Sequence, residues 1–76
     1  MNKTRRKQLE EVRSLIEKAG GLLQDIRDDE QNAFENLPEA LQGGERGEAM
    51  EAAIVAMDEV LSDLEGVNEP LDVAVA

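Results

Sequence analysis

The chain has no cysteine, histidine, tryptophan or tyrosine, and its one aromatic residue is Phe34. Each absence removes a class of function. Without Cys there is no disulfide, and without Cys or His the common structural zinc sites are excluded. Without Trp or Tyr the usual stacking platforms for bases and sugars are missing, and so are the usual anchors of tight interfaces. No apolar run approaches the roughly 20 residues that span a bilayer, and the first residues, MNKTRRKQLEE, lead into acids rather than an apolar signal core. These features predict a protein with no membrane partner, at home in the cytoplasm. The missing thiols agree with a reducing compartment.

Nucleophilic chemistry finds little material here. The only hydroxyls are Thr4, Ser14 and Ser62, none beside a recognisable base. Gly43-Gly44-Glu45-Arg46-Gly47 precedes a helix but lacks the Lys-Ser/Thr of a phosphate loop, and places a glutamate where phosphate would sit. Asp25, Asp28, Asp29 and Glu30 share a helical neighbourhood, but helical di-iron sites add a Glu-x-x-His pair that this chain cannot supply. Glu48-Ala-Met-Glu51 matches half of a helical magnesium motif, and no second half follows. The expectation is a protein that is not an enzyme and carries no cofactor or metal.

What the chain does contain is helical periodicity. Leu9, Val12, Ile16, Ala19, Leu23, Ile26, Ala33 and Leu37 step by three and four residues, interrupted at Glu30. Such spacing makes a seam that packs on another helix. A second seam runs through Met50, Ile54, Met57, Leu61 and Leu64, widened by Ala49, Ala52, Ala53 and Ala56. Between the seams, Pro38 disfavours helical geometry at Leu37, and Gly43-Gly44 allows a sharp turn. The prediction is an all-α, two-helix antiparallel hairpin over residues 1–66: a helix at 4–36 capped by Asn2 or Thr4, a loop at 37–44 and a helix at 45–65. Gly20 and Gly21, placed away from the seam, mark a bend in the first helix. Residues 67–76 follow a Gly stop, contain Pro70 and are expected to fray or lie against a neighbour.

A domain of 76 residues without disulfide or metal has little core of its own, and the first helix outruns the second by about ten residues. Dimerisation into a four-helix bundle would bury both seams. Glu30, at a seam position, would need Arg27 or Arg46 as a partner if buried, and otherwise marks a seam that splays open to water near the loop.

Charge is divided along the chain. The net charge is −10, yet residues 1–18 hold six bases (Lys3, Arg5, Arg6, Lys7, Arg13 and Lys18) against three acids. The remainder is acidic apart from Arg27 and Arg46. An acidic body repels nucleic acid and anionic membranes, leaving Arg5, Arg6 and Lys7 as the candidate phosphate contacts. An antiparallel hairpin brings that basic end, with Arg13, beside Asp58, Glu59, Asp63 and Glu65, and pairing there accounts for the charge division more simply than a phosphate site. On the second helix Glu51, Asp58 and Glu65 recur every seven residues, with Glu48 and Glu59 nearby. Carboxylates at such spacing can imitate phosphates, although a solvated helix face has the same pattern.

Arg5-Arg6-Lys7-Gln8-Leu9-Glu10, the stretch Arg27-Asp28-Asp29-Glu30-Gln31-Asn32-Ala33-Phe34-Glu35-Asn36-Leu37-Pro38-Glu39, and Glu45-Arg46-Gly47-Glu48-Ala49-Met50-Glu51 resemble the small acidic helical-hairpin proteins of bacteriophages and prophages. The resemblance covers about residues 4–65 and departs at Gly43-Gly44 and in the apolar tail. It implies a phage protein in a bacterial host cytoplasm and assigns no catalytic residue. Small acidic phage proteins often bind and disable a host protein, CRISPR effectors among them, sometimes by imitating DNA. The resulting expectation is a non-catalytic protein that binds a host or phage protein stoichiometrically, an inhibitor presenting Glu48, Glu51, Asp58 and Glu59. Its alternatives are an assembly accessory docking through its helical seam, and a nucleotide sponge.

Overall fold

The computed structural model describes all 76 residues. Helix α1 runs from Lys3 to Glu35. It begins where the Asn2 side chain accepts a hydrogen bond from the Arg5 backbone N–H at 2.8 Å, satisfying one of the first-turn donors that have no partner within the helix. It passes through Gly20 and Gly21 as one continuous helix rather than two. The apolar periodicity around the glycine pair outweighs its intrinsic cost of about 2 kcal/mol relative to alanine.

Leu37 and Pro38 end α1, and a single turn, α2 (Glu39–Gln42), follows. The Gln42 amide folds back and donates to the carbonyl oxygens of Leu37 at 3.0 Å and Phe34 at 3.4 Å, tying α2 to the end of α1. The chain turns at Gly43 and bends at Gly44 as expected, with the Gly44 N–H donating to the Leu41 carbonyl at 3.1 Å, but neither glycine has positive φ. The glycine that this corner requires is Gly47, in the first turn of α3 (Glu45–Gly66). It is buried against α2, and a Cβ there would fall 2.5 Å from the Gln42 carbonyl carbon and closer still to its oxygen.

Helix α3 returns antiparallel to α1 and bends at Val67 into α4 (Asn68–Val75). Proline explains the bend. Pro70 has no N–H to give the carbonyl of Gly66, four residues earlier, and its ring crowds that carbonyl. In the first turn of a new helix the same residue is tolerated. The tail, expected to fray or lie against a neighbour, lies along α1 as a helix, with Leu71, Ala74 and Val75 half-buried and Asp72 paired with Arg13. Helices α3 and α4 together match the length of α1, which removes the ten-residue overhang. The molecule is a thin rod of 59 × 15 × 12 Å.

The seam of α1 lies partly elsewhere than the apolar spacing suggests. The side chains withdrawn from water are Leu9, Arg13, Ile16, Gly20, Leu23, Arg27, Glu30, Gln31 and Phe34. Leu9, Ile16 and Leu23 sit as expected, whereas Val12 and Ile26 are 43% and 49% exposed and Ala19 and Ala33 also face solvent. Gly20 lies on the contact face, where a Cβ would meet Leu64 at 4.0 Å. On α3 the expected Met50, Ile54, Met57, Leu61 and Leu64 all turn inward, and Ile54, 6% exposed, is the one buried apolar side chain. The reason is geometric: α1 is apolar around half its circumference, and one neighbouring helix covers only part of that arc.

Two glycine substitutions test this packing. Gly47→Ala forces backbone apart and is expected to lower stability by about 1–3 kcal/mol. Gly21→Ala, with open space around its Cβ, is expected to raise stability by about 1 kcal/mol. Urea unfolding followed by circular dichroism measures both.

Candidate functional site: an apolar face and an acidic face

The contact between α1 and α3 is flanked by two grooves' worth of surface with opposite chemistry. On one side lies an open groove of about 480 Å³, with Ile16, Leu61 and Leu64 along its floor and Glu17, Gln24, Asp58, Ser62 and Glu65 among its polar lining. The other side carries the apolar residues left over from packing. At 3.6 residues per turn, Val12, Leu15, Ala19, Leu22 and Ile26 form a stripe about 100° around α1 from its contact line with α3. Leu15 and Leu22 are 58% and 64% exposed. The antiparallel partner brings Ala49, Ala56 and the exposed Val60 to the same side, so the apolar surface continues across both helices. Leu15, Leu22 and Val60 escape a search for one repeat, because they belong to a second repeat interleaved with the first.

The acidic face of α3 is divided by the fold. Asp58 is exposed but engaged: Arg27 Nε donates to its Oδ1 at 2.9 Å and Nη2 to its Oδ2 at 3.4 Å, a two-pronged contact. Asp28 approaches the same guanidinium at 3.5 Å. The hydrogen bond with Asp58 is the main reason that the Arg27 guanidinium is held above its ordinary pKa. A raised arginine pKa favours folding at every pH below the unfolded value, and that contribution is lost only in strong alkali. Glu48, Glu51 and Glu59 remain together, around an apolar floor of Ala52, Val55 and Ala56 in a shallow groove.

The basic end is arranged differently from the expected pairing. Arg13 hydrogen-bonds Asp72 of α4, with its Nε buried and unpartnered, while Arg5, Arg6 and Lys7 have no carboxylate within ion-pair distance. Glu59, Asp63 and Glu65 likewise form no ion pair. Successive residues on a helix point in different directions, so the three cations do not converge on one point. Arg5 borders a small hollow of about 260 Å³ formed with Met1, Gln8, Leu9 and Val12. Glu30 is half-buried and makes no side-chain hydrogen bond or ion pair; neither Arg27 nor Arg46 reaches it.

No three acidic side chains come together at metal-binding distance, the groups Asp25, Asp28, Asp29, Glu30 and Glu48, Glu51 included. No helix is long and apolar enough to cross a membrane. The surface thus offers apolar side chains on one side and carboxylates framing Val55 on another.

Charge reversal separates the structural acid from the surface acids. Asp58→Lys sets a cation against Arg27 and is expected to lower the thermal midpoint measurably. Glu51→Lys should stay within about 0.5 kcal/mol of the parent, as ordinary surface changes do. Comparison with family models, with curated proteins and with solved structures finds no match.

Proposed function

We propose that this chain is a non-catalytic interaction protein that binds a protein partner stoichiometrically. The observation that carries this reading is the apolar face of α1: a small chain that leaves Leu15, Leu22, Val12 and Ile26 exposed in one helical stripe has a surface suited to burial against another protein. Dimerisation of two hairpins into a four-helix assembly belongs to the same reading, since it buries the same surface.

The acidic face supports a more specific version. Glu48, Glu51 and Glu59 frame an apolar strip at Val55, an arrangement complementary to a basic site with an apolar ridge. Together with the resemblance to small acidic phage proteins, this fits a phage-encoded inhibitor acting in the bacterial cytoplasm on a nucleic-acid-binding host protein, a CRISPR effector being one such class. Docking through the apolar face on a phage assembly partner is the competing version. A nucleotide sponge draws no support from the divergent Arg5, Arg6 and Lys7.

Affinity capture of the tagged full chain from nuclease-treated bacterial lysate distinguishes them. The inhibitor version predicts a near-stoichiometric basic partner, lost on Glu48→Lys/Glu51→Lys/Glu59→Lys and weakened by raising salt from 0.1 to about 0.5 M. Loss on Leu15→Asp instead, insensitive to salt, establishes the apolar face as the docking surface. Recovery of the bait alone overturns the proposal that it binds another protein.

A further inference from the structure

We infer that the uncovered stripe of α1 pairs with the same stripe of a second copy, the two α1 helices running antiparallel about a two-fold axis between Ala19 and Leu22. This rests on the interaction reading above and names one partner for the apolar face.

The surface area argues that something covers this rod. The chain exposes 5736 Å², whereas a compact protein of 8.3 kDa exposes about 4,600 Å². The excess, on the order of 1,100 Å², is larger than the roughly 800 Å² that each partner contributes to a standard interface. The radius of gyration, 17.4 Å, compares with about 11 Å for a compact domain of this length. Chains of this size usually gain the missing burial from disulfides, metals or self-association. With no cysteine or histidine, and with one buried apolar side chain, this one is left with association.

Charge selects the occupant and its direction. Glu11, Lys18 and Asp25 recur every seven residues along the edge of the stripe that faces away from α3. In the antiparallel register that stacks Leu15 on Ile26 and Ala19 on Leu22 of the second copy, Lys18 falls beside Asp25 of the second copy. Symmetry makes that pair twice. A parallel register instead lays Asp25 beside Glu30 and brings the basic first turns of both copies together. Resting the stripe on the outer side of a second copy's α3 faces its edge carboxylates Glu11 and Asp25 with a helix side that carries Glu48, Glu59 and Asp63 and no base. Of the three arrangements, the antiparallel α1 pair is the one that places opposite charges, Lys18 and Asp25, across its edge, and this pair, made twice, is set against Glu11 falling level with Asp29.

Sedimentation equilibrium of the untagged full chain should give twice the 8.3 kDa monomer mass. Leu22→Asp, at a side chain exposed in the single chain, should leave the helix content intact and weaken association at least about 100-fold. Lys18→Asp and Asp25→Lys should each weaken the dimer, and the double exchange should restore it, an outcome that a general loss of folding cannot produce. Because the chain lacks cysteine, direction is read directly: Leu15→Cys mixed with Ile26→Cys should form a disulfide-linked dimer, and neither variant alone should. Efficient self-linkage of each variant alone would overturn the antiparallel register, and a monomer at all accessible concentrations would overturn the inference entirely. A monomer that still retains a lysate protein through Leu15 leaves the interaction reading standing, so the two fail separately.

Discussion

One constraint shapes this molecule: a helix apolar around half its circumference lies beside a single antiparallel helix. A two-helix contact covers an arc of α1 centred on Leu9, Ile16, Gly20, Leu23 and Phe34, and the adjoining arc stays wet. The selection of the covered arc follows from what α3 and α4 offer. Asp58 and Asp72 hold Arg27 and Arg13 on the contact line, and Gly20 admits Leu64 close to the backbone. Two arginines and a glycine thus occupy positions that a purely hydrophobic seam would give to Val12, Ala19 and Ile26. Ion pairs at half-exposed positions contribute little stability each, and their effect here is rotational, setting which side of α1 faces inward.

Much of the fold was legible in the residues. The antiparallel hairpin, the break at Leu37-Pro38 and the inward row Met50, Ile54, Met57, Leu61 and Leu64 follow from periodicity and proline geometry alone. The rotation of α1 was not legible, because Leu9, Ile16 and Leu23 belong equally well to either arc, and only long-range partners decide between them. Helix α4 was hidden for a related reason. Pro70 reads as a helix breaker after Gly66, yet three residues into a new helix it costs nothing, and the apolar residues of this tail find cover against α1.

The surface features divide along the same line. That Glu48, Glu51 and Glu59 remain available follows from their spacing. That Asp58 is held in an ion pair depends on Arg27, 31 residues away in sequence. The sorting of structural from available charge therefore required the register of the two helices. Gly47 and Gln42 make the same point at the corner: the tie that Gln42 makes to α1 and the clearance that Gly47 gives Gln42 are one arrangement spread over three elements.

The bend at Val67 leaves the last helix dependent on its neighbour. An eight-residue helix does not persist alone in water, so α4 exists only while it lies along α1. Pro70 withholds one hydrogen bond that would join it to α3, and the Arg13–Asp72 pair fastens it to α1. The final eight-residue helix of the chain therefore decides how much of the contact face near Leu9, at the basic end, is closed to water.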